Sequence, residues 1–199
     1  DGPMTAGGST NGGWARIAVP GNWQTEGFGC PQYTNIRYPT WGPPCPPRTG
    51  GGLARGGGGA ATRLVDYKDP VGLYRKEFAL PQAWRSASFA SEEEGGDGAP
   101  RRRIMLVLKG VSSAVEAFVN GTWVGCSKDS CLDAEFDVTE AVWTPSTFST
   151  GSCLVALRVL QWSDGSYLED QDQWWLSGPH RGIELQCLSA VHIQDLRVA

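Results

Sequence analysis

Basic charge, histidine and long apolar runs are all in short supply in this sequence, and each shortage removes a class of function. Lys and Arg number 17 against 21 Asp and Glu, a formal net charge of −4. Binding a phosphate backbone needs a basic patch, and the one cluster is Arg101, Arg102 and Arg103 at the head of an apolar run. It reads as a solvated strand entrance, so nucleic acid is not an expected partner. Two histidines and the lack of any C-x-x-C pair argue against a structural zinc site. The six cysteines (Cys30, Cys45, Cys126, Cys131, Cys153 and Cys187) are scattered, in a chain of 199 residues too large to need disulfide staples, and they leave the redox compartment open. No apolar run approaches the roughly 18 residues of a membrane span. The opening DGPMTAGGSTNGG holds no apolar signal-peptide core, so a soluble, cytoplasmic protein is the expectation. There is no internal repeat, heptad pattern, nucleotide-binding glycine loop or nucleophile elbow.

Glycine (27), proline (13) and tryptophan (9) are plentiful instead. Residues 1–13 are expected to be a disordered N-terminal segment, and 14–199 a single domain. Within it, 40–66 is so dense in Gly and Pro that a loose loop insertion is expected, because such composition buries too little apolar surface to offset its ordering entropy.

The remaining pattern is that of strands. Tyr74, Lys76, Phe78 and Leu80 alternate with Arg75, Glu77 and Ala79, the period of a half-buried strand. IMLVLKGV is a buried strand, and AVEAFVNGTWVGCS is two strands joined at Asn120-Gly121, a strong hairpin signal. Asn120-Gly121-Thr122 is also a glycosylation sequon, for which the turn is the preferred reading. AEFDVT, SCLVALRVLQW, IELQCL and the C-terminal VHIQDLRVA complete at least seven strands, and no run of helical periodicity is long enough to require a helix. The expected fold class is all-β, an antiparallel β-sandwich.

Residues 162–175, WSDGSYLEDQDQWW, concentrate the groups that could bind a ligand. Asp164, Glu169, Asp170 and Asp172 stand among Trp162, Tyr167, Trp174 and Trp175, and the stretch contains no Lys or Arg. Carboxylates accept hydrogen bonds from vicinal hydroxyls or ligate hard cations, and indole faces stack on the C–H side of a pyranose. The competing reading is an acidic surface loop whose tryptophans belong to the core. Asp170 and Asp172 make a poor catalytic pair. Two positions apart on an extended chain they lie roughly 6.5 Å apart along one face, with nothing to hold them across a ring as a retaining glycosidase requires.

This stretch, continued through Leu176, Ser177, Gly178, Pro179, His180 and Arg181, closely resembles the end of the N-terminal sugar-binding domain of β-galactosidases in glycoside hydrolase family 2. Upstream, Val19, Pro20, Asn22, Trp23 and Gln24, then Pro31, Tyr33, Thr34, Asn35, Tyr38 and Pro39, match that family's arm segments in the right order. Departures are Gln173-Trp174-Trp175 after the D-Q-D triplet and Pro179-His180 before the arginine. The resemblance implies a jelly-roll sandwich of the galactose-binding type. It implies that Asn35 and Asp172 hydrogen-bond galactosyl hydroxyls, with Tyr33 as a further contact, and that Asp172 also ligates a monovalent cation (Na+ or K+) in an enzyme that uses Mg2+ as well. Arg181, Asp164 and Asp170 would support the site structurally. The catalytic glutamates would lie on a following (β/α)8 barrel of about 250 residues, for which this chain has no room. The partners implied are a β-galactoside or related carbohydrate, that barrel and, for the complete enzyme, further copies of itself. A stand-alone carbohydrate-binding module and a purely structural assembly domain are the alternatives, and a β-glucuronidase or β-mannosidase remains open as the nearer comparison.

Overall fold

The computed structural model describes residues 4–7, 14–33, 70–85, 102–189 and 192–198. In chain order the strands are β1 (Met4–Gly7), β2 (Trp14–Ile17), β3 (Gln32–Tyr33), β4 (Val71–Ala79), β5 (Arg102–Leu108), β6 (Val111–Ser112), β7 (Ala114–Val119), β8 (Thr122–Ser127), β9 (Ala134–Asp137), β10 (Ser152–Leu160), β11 (Trp174–Trp175), β12 (Gly178–Pro179) and β13 (Ile183–Ser189). Among the described residues four short helices join them: α1 (Gln82–Arg85), α2 (Thr139–Val142), α3 (Pro145–Thr150) and α4 (Gly165–Leu168). None of the described helices is long and apolar enough to cross a membrane.

The fold is an antiparallel β-sandwich, as the strand pattern predicts. One sheet runs β2-β1-β4-β10-β7-β8 and the other β13-β5-β9, with two-stranded ribbons β11-β3 and β12-β6 beside them. The alternation of β10 sets the sides of the larger sheet: Cys153, Val155, Leu157 and Val159 are buried, whereas Leu154 and Arg158 face solvent. Opposite them, Ile104, Leu106 and Leu108 of β5 complete the core, with Phe136, Ile183 and Leu185 packed at its margin. Burying such side chains is worth about 1.5–3 kcal/mol each relative to leaving them exposed.

The hairpin at Asn120-Gly121 forms with positive φ at both residues (49° and 83°), the conformation that favours Asn-Gly. The Asn120 side chain is committed inward. Its Nδ2 donates to the Ala141 carbonyl at 2.8 Å and the Thr147 hydroxyl at 3.1 Å, and its Oδ1 accepts from the Leu154 amide at 2.9 Å.

Three expectations change. Residues 4–7, read as part of a disordered tail, form β1, hydrogen-bonded between β2 and β4. Their small residues carry no strand signal, so the pairing comes from the neighbours. The C-terminal run, read as a strand from its alternation, forms none over 192–198, and Ile193, Leu196 and Val198 are exposed. Alternation makes a strand only where a sheet edge is there to receive it. Cys30 is disulfide-bonded, although the spacing gave no such signal; Cys126, Cys131, Cys153 and Cys187 are free. The Gly- and Pro-rich 40–66 insertion lies outside the described residues.

Replacing Asn120 by Ala should remove three hydrogen bonds and put a residue that tolerates positive φ less well than asparagine into the turn. We expect a loss of about 1–3 kcal/mol in unfolding free energy, measured by urea titration; no loss would mean that the side chain does not hold the turn.

Candidate functional site

Two arms build the site. The first, residues 18–33, contains little regular structure, and main-chain bonds tie it to the end of the acidic stretch. The Gly21 amide donates to the Pro179 carbonyl at 2.9 Å and the Trp23 amide to the Ser177 carbonyl at 3.0 Å. The buried Gln24 side chain closes the contact, its Oε1 accepting from the Ser177 amide at 2.8 Å and its Nε2 donating to the Ser177 hydroxyl at 3.3 Å. Buried Trp23 lies against Gly72, where an added β-carbon would come 2.3 Å from the indole. The arm is therefore fixed to both the acidic stretch and the sandwich.

Beyond that clamp, β3 pairs with β11, placing Tyr33 opposite Trp174. The two tryptophans of β11 point to opposite faces, as successive strand residues must. Trp175 is buried and meets Trp162 edge-on at 5.4 Å between ring centroids. Trp174 is 60% exposed and tilts against Tyr33 at 5.7 Å, forming an open aromatic surface. The Tyr33 hydroxyl donates to Oδ1 of exposed Asp172. That bond, together with partial desolvation and the carboxylate charge, raises the pKa of Tyr33, so the phenol stays protonated and remains a donor. Trp162 and Trp175 thus belong to the core, while Trp174 stands at the surface.

The other carboxylates of the stretch are divided between partners and solvent. Asp164 caps α4 by accepting from the Gly165 amide at 3.1 Å. It also pairs with Lys128 at 2.9 Å, so a base absent from the acidic stretch itself arrives from elsewhere in the chain. The Lys128 hydrogen bond and charge hold the Asp164 carboxyl below the usual carboxylate range despite the opposing effect of desolvation. Glu169 spends both oxygens on Ser130, at 2.9 Å from its amide and 2.5 Å from its hydroxyl. Asp170 is exposed. Arg181 donates to the main-chain carbonyl of Cys131 at 2.6 Å. Together these contacts hold residues 128–131 against the acidic stretch.

Asn35 lies outside the described residues, two positions beyond Tyr33. The described residues contain no cluster of three His, Cys, Asp or Glu that could hold a metal ion. One carboxylate and a phenol at Asp172 are too few oxygens for a cation by themselves. Sequence reasoning missed Trp174 as the exposed aromatic, which the Trp-Trp pair in an extended segment could have revealed, since one of the two must face away from the core. It also missed the Gln24–Ser177 and Glu169–Ser130 contacts, which join residues far apart in sequence and leave no local signal.

Behind Trp174 lies a pocket of about 370 Å³, walled by the acidic stretch, the Ser130 loop and the start of the first arm. His180 stands at its side, with Nδ1 3.5 Å from the Ser112 hydroxyl. Burial, with a smaller contribution from the Arg181 charge, keeps its imidazole below the ordinary histidine pKa.

The class is that of an antiparallel β-sandwich domain that presents a carboxylate, a phenol and an indole on adjoining extended segments. The family model "Glycosyl hydrolases family 2, sugar binding domain" matches residues 60–188, and the chain belongs to that family. A β-galactosidase of Psychromonas ingrahamii is 36% identical over 187 residues, covering 94% of this chain and 14% of the relative. One of Yersinia pestis is 36% identical over 182 residues, covering 92% and 14%. The chain therefore spans 14% of the length of these curated relatives. Among solved structures, a Bacteroides uniformis β-glucuronidase superposes with a TM-score of 0.55 at 18% identity, over 94% of this chain and 17% of that one. A Dictyoglomus thermophilum β-glucuronidase gives 0.55 at 15% identity, over 98% and 28%. At these identities the two structures establish the fold alone.

His180 gives a pH test. Its folded pKa lies below the unfolded value of about 6.5, so the unfolded chain binds the extra proton first. Its contribution to stability is complete above about pH 6.5 and is lost as the pH falls from there through the folded pKa. In urea titrations across that window, His180→Gln should flatten the decline seen in the parent; parallel curves would contradict a buried neutral imidazole.

Proposed function

We propose that this chain is the substrate-positioning domain of a larger retaining β-galactosidase, an enzyme that hydrolyses terminal β-D-galactosides. The observation that carries the reading is Asp172, held by Tyr33 on strand-paired segments beside the exposed ring of Trp174. In this role the free lone pairs of Asp172, with Asn35, accept and donate hydrogen bonds to galactosyl hydroxyls. Trp174 and Tyr33 supply an apolar wall for the C–H face of the sugar. Contacts that tighten as the ring approaches its oxocarbenium-like form lower the barrier by differential binding. The acid/base and nucleophile are assigned to glutamates of a separate barrel domain, so the chain alone turns nothing over. A Na+ or K+ at Asp172, and Mg2+ in the complete enzyme, would take their remaining ligands from other domains, and no step is drawn through them. The barrel and further copies of the same protein are the partners of this reading.

Asp172→Asn in the complete protein should lower kcat/KM for an aryl β-galactoside roughly ten- to hundredfold, the worth of one charge-assisted hydrogen bond of about 1.5–3 kcal/mol. Unchanged kinetics would remove Asp172 from the site. A stand-alone carbohydrate-binding module is favoured by one observation, that the Tyr33–Trp174 surface is complete within this chain. The intact mass of the natural product separates the two. A value several times 21.4 kDa supports the enzyme, and a value near it supports the module.

A further inference from the structure

We propose that the pocket behind Trp174 is a second binding site, distinct from the Asp172 surface, and that it takes one uncharged saccharide unit. The choice of a saccharide rests on the sugar-binding reading above; the choice of an uncharged one rests on the pocket itself. At about 370 Å³ it falls within the range of about 300–1,000 Å³ of small-molecule sites.

Its lining is rich in side-chain amides. Gln161 is 6% exposed and lines the pocket, and its side chain has no hydrogen-bond partner among the described residues. Asn22, Gln171 and Gln173 line the same space, the two glutamines from its exposed rim. An amide so largely withdrawn from bulk solvent requires hydrogen-bond partners. The partners of Gln161 must therefore come from the pocket's own contents, which are water in the free protein and ligand hydroxyls when a sugar replaces it. Each amide can donate and accept at once, as a hydroxyl can, so a polyol matches the set. Trp174 and Trp175 also line the pocket and bring apolar surface to it.

Charge narrows the ligand further. No Lys or Arg lines the pocket, Glu169 has both oxygens engaged by Ser130, and burial holds the His180 imidazole below the ordinary histidine pKa. Nothing there would compensate the carboxylate of a uronic acid or a phosphate. Trp174 is common to the pocket and to the Tyr33–Asp172 surface, while neither Tyr33 nor Asp172 lines the pocket. The two sites are thus adjacent but chemically separate.

The test is a crystal of the complete protein soaked with methyl β-D-glucopyranoside, methyl β-D-galactopyranoside or D-glucuronate, paired with calorimetric titrations in an Asp172→Asn background. We expect density for a neutral glycoside against Gln161 and none for glucuronate. Gln161→Leu should weaken the titrated affinity at least tenfold, and the exposed double variant Gln171→Ala/Gln173→Ala should do so too, which keeps the test decisive if the buried substitution fails to fold. An empty pocket at millimolar glycoside, equal affinity in the double variant, or equal binding of glucuronate would each overturn the proposal. The galactosidase reading is judged separately, by turnover in Asp172→Asn. The pocket can therefore fail while that reading stands, and the reverse.

Discussion

The clamp between Gln24 and Ser177 is the constraint on which the site depends. These residues are 153 positions apart, yet the buried Gln24 amide satisfies the Ser177 amide and hydroxyl together, and the flanking main-chain bonds from Gly21 and Trp23 extend the contact into a ladder. A first arm with so little secondary structure of its own would otherwise have to offset its full ordering entropy locally. Fixed at Ser177 and seated through Trp23 on Gly72, it is delivered to β11 in a defined register, and that register sets Tyr33 against Trp174. The aromatic surface and the hydrogen bond to Asp172 follow from it.

Electrostatics then divides three of the carboxylates that look alike in sequence. Lys128 and the α4 amide take Asp164, and Ser130 takes both oxygens of Glu169. Asp172 receives a neutral phenol instead of a cation. A carboxylate paired with Lys or Arg has spent its charge, whereas one held by a phenol keeps lone pairs for further donors. Of the three, Asp172 is the one suited to binding hydroxyls, and it sits where an aromatic wall is available. The same accounting separates the neighbouring pocket, whose polar groups are uncharged amides.

Much of the sandwich was legible because its strands are buried on one face, and alternation records burial directly. β4, β7, β10 and β13 and the Asn-Gly hairpin could be read residue by residue. The alternation over 192–198 was no guide because no strand receives it, and β1 was invisible because Met4–Gly7 gains its order from β2 and β4. In the site, the order of residues singled out Asp172 and Tyr33, but it could not show that Tyr33 donates to Asp172 or that Lys128 reaches Asp164.

The sequence by itself determined the all-β class, the acidic aromatic stretch and the family, because each is written in local period, composition or motif. Only the tertiary structure decided which carboxylate stays available, which of two adjacent tryptophans faces solvent, and that an amide-lined pocket lies behind it. Those outcomes depend on partners far away along the chain, and a hydrogen bond between distant residues leaves no trace in the spacing of either.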